Sequence, residues 1–256
     1  MAEHIIFYIL ALVICVFSVM AVISKKLIRS AVYLLFVLLS TAGIYLILGY
    51  HYLFAVQTAV YAGGIMGSME QNIVNVPLID ADQESLRDYG VMISEEVYSP
   101  GLAIPFYRGS VEEGQNLDFV YTGKAVVRTA RISHRSPVVT WLERHLHMSQ
   151  IFVGLGSSPF VMVLAKPNHL AGGYVPDLAD VMAFRIPAGH GVMIHPGTWH
   201  DFPMAFDGKP VTVLTMNSDE VVTALASAKA ADEMDAGDVY KIDIERRTGK
   251  VLRVPF

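Results

Sequence analysis

The pattern of apolar and polar positions divides the chain into two stretches of different kind. Ile5–Ile23 runs for 19 residues without a charge, and Ala31–Tyr50 for another 20. As helices, each is long enough to cross a hydrocarbon core of roughly 30 Å. Between them lies Ser24-Lys-Lys-Leu-Ile-Arg-Ser30. By the positive-inside rule this basic loop faces the cytoplasm, the N-terminus faces outward, and Gly49-Tyr-His-Tyr52 sits at the outer interface. The first run lacks the basic leading region and small-residue cleavage site of a secretory signal. A third apolar run, Tyr52–Met66, has 15 residues and contains Gln57. As a helix it rises only about 22 Å. If it crosses, the rest of the chain lies on the cytoplasmic side of an inner membrane.

From Leu117 onward the pattern changes to short runs separated by turn signals. Strands are expected at Asp118–Thr122, Ala125–Ser133, Val138–His145, Gln150–Leu155, Phe160–Ala165, Met182–Ile186, Gly191–His195 and Val211–Met216. A brief strand is expected near Ala103–Tyr107, within a loop-like stretch at Ser94–Gln115. Helices are expected at Ala81–Tyr89 and Asp219–Met234, and a terminal hairpin pairs Tyr240–Glu245 with Val251–Val254. Many short strands at close spacing argue for an antiparallel sandwich or barrel. The fold class is therefore mainly β, an antiparallel sandwich or barrel with peripheral helices, preceded by two or three transmembrane helices.

Charge sharpens this division. The net charge of −5 splits into +2 over residues 1–68 and −7 over the remainder. No basic stripe with interleaved aromatics appears, which excludes a nucleic-acid partner. A single cysteine, Cys15, excludes an internal disulfide and a cysteine zinc cluster. Met66-Gly-Ser-Met-Glu70 interrupts an apolar helix with a Gly-Ser pair and a methionine that could start a protein. Two sequences joined by cloning or by gene fusion would read this way. The expected organisation is a helical segment at 1–66, a junction at 67–69 and a β domain at 70–256.

The chemistry concentrates in two segments. Six of the nine histidines fall between His145 and His200. Gly191-Val-Met-Ile-His-Pro-Gly-Thr-Trp-His200 reads as a strand, a Pro-Gly reversal and a Trp-His pair. The reversal is expected to return His200 toward His195. Trp141-Leu-Glu-Arg-His-Leu-His-Met-Ser-Gln150 supplies the other group. Imidazoles gathered at a barrel mouth can bind a metal or move protons. Two polar histidines on an ordinary hairpin would look the same.

Two family resemblances follow from these residues. Phe7-Tyr8, Ala31-Val-Tyr-Leu-Leu35 and Ala55-Val-Gln-Thr-Ala-Val-Tyr-Ala-Gly-Gly-Ile-Met66 resemble the N-terminal part of subunit J of NADH–quinone oxidoreductase, without its last two helices. Tyr61, Gly63 and Gly64 match that family's third-helix motif, which implies a local π-type distortion. Leu142-Glu-Arg-His145, Gln150-x-Phe152, Phe160–Ala165, Pro176-Asp-Leu178, Ala183-Phe184 and Gly191-x-x-x-His195-x-x-x-Trp-His200 resemble the ureidoglycolate lyase family in order and spacing. That resemblance implies a cupin-like dimer that splits ureidoglycolate to glyoxylate and urea in allantoin (purine) breakdown. The chain departs from the family pattern at Asp201-Phe-Pro-Met204, at the insert Pro167–Tyr174 and after Asn217.

That reaction takes a proton from a hydroxyl, forms a carbonyl and releases urea. It needs no redox cofactor; a divalent metal ion is the one candidate cofactor. On this reading His200 or His145 is base or metal ligand, His195 lies on the pocket wall, Gln150 binds the ureido group or the hydroxyl, and Glu143 orients an imidazole. Arg135 or Arg144 holds the substrate carboxylate. Candidate metal ligands are His145, Gln150 and His200, although metal-binding cupins carry a carboxylate where Gln150 stands. His147 lies outside the family pattern. His134, His169 and His190 read as solvated, and the two tryptophans as packing. The competing readings are another metal-dependent cupin lyase or isomerase, a membrane-anchored, non-enzymatic anion-binding cupin, and a remnant respiratory membrane subunit.

Overall fold

The computed structural model describes residues 2–25, 27–62 and 72–256. They divide into two compact units, Met1–Ile73 and Val74–Phe256. The junction expected at 67–69 lies outside the described residues, as do Gly63 and Gly64 of the third-helix motif.

The first unit consists of α1 (Ala2–Ile23), α2 (Leu27–Ile47) and α3 (His51–Val56), which runs into a π-helical turn over Gln57–Ala62. That turn falls where the subunit J resemblance implies a π-type distortion. α1 and α2 pack on each other. The Phe17 ring stacks on Phe36 at 4.9 Å and lies 5.8 Å from Tyr33. Gly43 allows close approach, since a Cβ there would stand 3.1 Å from Leu10 Cδ1. Small residues play this part where membrane helices meet. Away from this contact the side chains are apolar and exposed, Leu12 and Val22 among them. A helix apolar on every face has no solvated side to turn to water. Both α1 and α2 are long and apolar enough to cross a membrane.

The second unit is built of sheets. In chain order its strands are β1 (Ile73–Asn75), β2 (Leu78–Asp80), β3 (Gly90–Ile93), β4 (Ala125–Ile132), β5 (Val138–Val139), β6 (Trp141–Arg144), β7 (Gln150–Leu155), β8 (Phe160–Ala165), β9 (Met182–Ile186), β10 (Gly191–Ile194), β11 (Trp199–His200), β12 (Met204–Ala205), β13 (Val211–Ser218), β14 (Met234–Ala236), β15 (Val239–Asp243) and β16 (Val251–Arg253). One sheet runs β3-β10-β7-β13-β4. A larger one runs β14-β15-β6-β11-β8-β9-β2, with β12 on β8, and a small one runs β1-β16-β5. Within the five-stranded sheet and the larger sheet the pairing is antiparallel apart from β2 on β9, which is parallel. The unit is mainly β, as the strand pattern led one to expect, and cupin-like, as the family resemblance implies.

β8 shows how these sheets are stacked. Phe160, Met162 and Leu164 enter a core shared with Phe152, Phe184, Val192 and Val213. Val161, Val163 and Ala165 enter a second core with Val139, Trp199, Ile242 and Leu252. Side chains alternate along a strand, so a strand buried on both faces must be apolar throughout. The five-stranded sheet therefore covers one face of the larger sheet. The small sheet covers the other.

Several expected elements differ. No strand forms at Ala103–Tyr107 or Asp118–Thr122. Asp118 has a positive φ of 50°, and Val120 bonds to Ser149 through backbone and hydroxyl, with no strand alongside among the described residues. Val138–His145 breaks into β5 and β6 because its halves join different sheets. The helix expected at Ala81–Tyr89 is reduced to α4 (Gln83–Leu86), started by an Asp82 capping box. The helix expected to reach Met234 is α5 (Asp219–Ala226) and stops there. Its alanine-rich continuation through Asp232 is exposed and so gains no burial to hold it helical. The terminal hairpin is absent: β15 and β16 lie in different sheets, joined through α6 (Ile244–Thr248).

Candidate active site

Two neighbouring strands build the site. β11 lies antiparallel to β6 with His200 directly opposite Glu143. Period two sends alternate side chains of both strands to opposite faces. Leu142, Arg144 and Trp199 turn to the second core, while Glu143, His145 and His200 turn to the first. The Pro196-Gly197 reversal makes this possible in a way not expected. It does not fold a hairpin that returns His200 to His195. It carries the chain from β10 in the five-stranded sheet to β11 in the larger one. Gly197 adopts a positive φ of 82°, and a Cβ there would fall 2.2 Å from the His169 ring, so glycine is required. Its N–H donates to the carbonyl of His145 at 2.6 Å, which ties the reversal to the end of β6.

The His145 and His200 rings lie 5.1 Å apart. Glu143, His145 and His200 place one ligand atom each within 4.8 Å of one another. All three are buried, the imidazoles at 3% and 1% exposure, so the pair is enclosed and does not line an open mouth. His145 Nδ1 meets the Asp238 carbonyl at 2.6 Å and His200 Nδ1 the Thr198 carbonyl at 3.1 Å. A carbonyl can only accept, so both Nδ1 atoms carry hydrogen. Both Nε2 atoms are buried without a hydrogen-bond partner. Burial, aided by the neighbouring His200, pushes the His145 imidazole down to about 4, against the pull of Glu143. His145 is therefore neutral, with a bare lone pair on Nε2.

Glu143 is the third group. Its Oε1 lies 3.6 Å from His200 Nε2 and its Oε2 accepts from Lys241 Nζ at 2.9 Å. Burial pushes this carboxyl upward, but His200 and Lys241 outweigh it and hold the group well below the usual carboxylate range. A lone pair on His200 Nε2 would repel Oε1, so the spacing suits a positive charge between them, either a proton or a shared cation. Two imidazole nitrogens with anchored Nδ1–H groups and one carboxylate oxygen form a fitting donor set for a divalent metal. The carboxylate that Gln150 lacks is thus supplied by Glu143 on β6, two residues before His145.

The other expected residues are distributed as follows. Gln150 is buried on the inner face of β7, donates through Nε2 to Asn217 Oδ1, and leaves its Oε1 without a partner. Asn217 was not anticipated; it stands on β13 two residues beyond Thr215, the partner of Phe152. Its signal lay in the alternation of Val211–Ser218, whose inward positions turn from valine to Thr215 and Asn217. His195 is half-buried, and its ring has no hydrogen bond or ion pair among the described residues. Arg144 is not brought to the imidazoles. It lies over the Trp199 and Tyr240 rings at 4.5 and 5.1 Å and donates to Asn168 and Gly173. Arg135 donates to Asp201 Oδ2 at 2.7 Å and to the Phe202 carbonyl. Burial raises the Asp201 carboxyl despite this arginine. His147 is exposed, as is His134, and His190 is half-buried. His169, expected to be solvated, has its Nδ1 buried without a partner. Trp199 is wholly buried in the second core. A cavity of about 380 Å³ lies elsewhere, between Gln83, Glu96 and His190.

The family model described as ureidoglycolate lyase matches residues 83–234. The one described as NADH-ubiquinone/plastoquinone oxidoreductase chain 6 matches residues 17–67. The chain is thus made of two parts of separate kinship. Together with α1 and α2, the second match associates the N-terminal part with a membrane. No curated protein matches the chain. Among solved structures, a dTDP sugar isomerase from Desulfovibrio desulfuricans G20 is similar at 14% identity over 50% of this chain and 75% of that one, with a TM-score of 0.29.

Proposed function

This chain belongs to the ureidoglycolate lyase family, and on that premise we propose that its β unit splits ureidoglycolate, or a close carbinol-amide relative, to glyoxylate and urea. The observation that carries the reading is the enclosed pair of Nε2 atoms beside Glu143, which have no partner of their own. Groups left unsatisfied at this depth are costly unless a ligand completes them.

Neutral His145 is suited to take the substrate hydroxyl proton on Nε2, since a free lone pair needs no prior deprotonation. The electron pair of the O–H bond then forms the carbonyl, and the carbon–nitrogen bond breaks toward urea. His200, paired with Glu143, returns a proton to the departing nitrogen. Gln150 Oε1 accepts from a ureido N–H, with its amide turned by Asn217. Of the two candidate arginines only Arg135 is proposed for the carboxylate. It is bonded to Asp201, next to His200, whereas Arg144 is turned to the opposite face. In place of that proton transfer, Glu143, His145 and His200 would hold a divalent cation, whose charge would stabilise the developing oxyanion; the same Nε2 atoms serve one role or the other.

We place the membrane part in the role of an anchor and the β unit on the cytoplasmic side, where the basic loop at 24–30 would also lie. We further propose that the β unit pairs as a dimer. The test is glyoxylate and urea release by the full chain, with and without added divalent metal. Loss of release in both His145→Ala and His200→Ala supports the assignment; full release by either one sinks it. Protease access from the cytoplasmic face of sealed vesicles checks the orientation.

A further inference from the structure

The matched family residues end at 234, yet two groups that hold the site come from beyond that point. β15 lies beside β6, so Lys241, Glu143 and His200 form one row across three adjacent strands, each directly opposite the next. The register thereby delivers the Lys241 ammonium to Glu143 Oε2 at 2.9 Å. This leaves Oε1 as the oxygen that faces His200. One turn earlier, Asp238 acts on His145 twice. Its carbonyl accepts the Nδ1–H. Its carboxylate, itself buried, accepts the backbone N–H groups of Leu146 and His147 at 2.7 and 3.0 Å. The chain just after His145 is therefore clamped to the residue that sets its ring.

We propose that the turn and strand at 237–243 form the positioning element of the site, with Asp238 acting through His145 and Lys241 through Glu143. Neither residue touches a reacting atom. Asp238 keeps Nε2 of His145 as the bare nitrogen that faces inward, and Lys241 keeps Glu143 from rotating away from His200. The inference rests on the reading that Glu143, His145 and His200 are the working groups, but its test does not depend on turnover.

The test uses the metal-free full chain in detergent with ¹⁵N-labelled histidine, and nitrogen NMR to report which ring nitrogen carries hydrogen. The wild type is expected to show His145 as the Nδ1–H tautomer. Asp238→Ala is expected to give His145 mixed tautomers and leave His200 as it was. Lys241→Met is expected to shift the His200 nitrogens and leave the His145 tautomer alone. If Asp238→Ala fails to fold, Asp238→Asn, which retains one acceptor oxygen, takes its place with a smaller shift of the same kind. A His145 tautomer that is unchanged in the Asp238 variants, or shifts spread equally over all histidines, overturns the proposal. A second measurement titrates Co²⁺ alone and follows its visible absorption. Supporting groups of this kind are worth about 10- to 100-fold in metal affinity. Each variant should lose an amount in that range, and Lys241→Arg should restore most of it. Wild-type affinity in both variants counts against the proposal. A wild type that takes up no Co²⁺ removes the cation reading of the site, while the tautomer pattern still decides the positioning.

Discussion

The two faces of the β6–β11 pair carry similar residues to different ends. On one face Arg144 and Trp199 are packed away. The guanidinium lies over two aromatic rings and donates to Asn168 and Gly173, and the indole N–H donates to Asn168. On the other face Glu143, His145 and His200 are just as deeply buried, but both Nε2 atoms have no partner. Burial alone does not separate structure from chemistry here. What separates them is the kind of group left open: the outer face leaves only the Arg144 Nε donor, over aromatic rings, whereas the inner face gathers two unpartnered imidazole nitrogens beside a carboxylate. The outer face should therefore respond to mutation in stability, and the inner face in turnover.

The sharpest break would come from His145→Ala or His200→Ala. Loss of a general acid or base costs about 10²- to 10⁴-fold in rate, so kcat for glyoxylate release should fall in that range with the protein still folded. On the outer face, Trp199→Ala should cost about 3–5 kcal/mol of stability, measured by denaturant unfolding. Activity per folded molecule should change far less. A result with these two effects exchanged would undo the comparison.

A pH series sharpens it further. The His145 imidazole is held at about 4 in the fold against 6.5 for the free group. Between those values the unfolded chain takes up a proton that the folded one refuses. The contribution is complete above about pH 6.5 and is lost progressively as pH falls toward 4, by roughly 3 kcal/mol in all. Unfolding free energies measured across that window should show the decline, and His145→Gln should flatten it. The smallest effect belongs to Arg144→Met, which removes two hydrogen bonds and two cation–π contacts, about 1–3 kcal/mol. Its kcat should match the wild type, since Arg144 does not reach the imidazoles. A drop in kcat there, with folding intact, would return Arg144 to the substrate side.

Much of this could be read along the chain. The uninterrupted apolar run Phe160–Ala165 could only be a strand covered on both sides or a helix segment, and its β-branched residues and flanking turns chose the strand. The alternation in Gln150–Leu155 and Val211–Ser218 marked one inward face on each. Ile5–Ile23 and Ala31–Tyr50 announced their helices by length. No terminal hairpin forms because Tyr240–Glu245 and Val251–Val254, which have the local pattern of a pair, are claimed by partners in two different sheets. The alanine-rich run after Ala226 is not helical because propensity without a buried face does not hold a helix.

The site was half legible. Glu143, His145, Gln150 and His200 were visible as chemistry-bearing residues on two segments. That His200 meets His145 and Glu143, and is not folded back on His195, could not be read from Pro196-Gly197, because the same reversal serves a hairpin or a crossing between sheets. Asp238 and Lys241 gave no signal, being ordinary charged residues near a turn. Sequence by itself determined the two kinds of segment, the strands and the residues available for proton transfer. Tertiary structure decided which of them meet, because strand register and sheet assignment are set by long-range pairing and burial, and no local pattern encodes which distant strand will lie alongside.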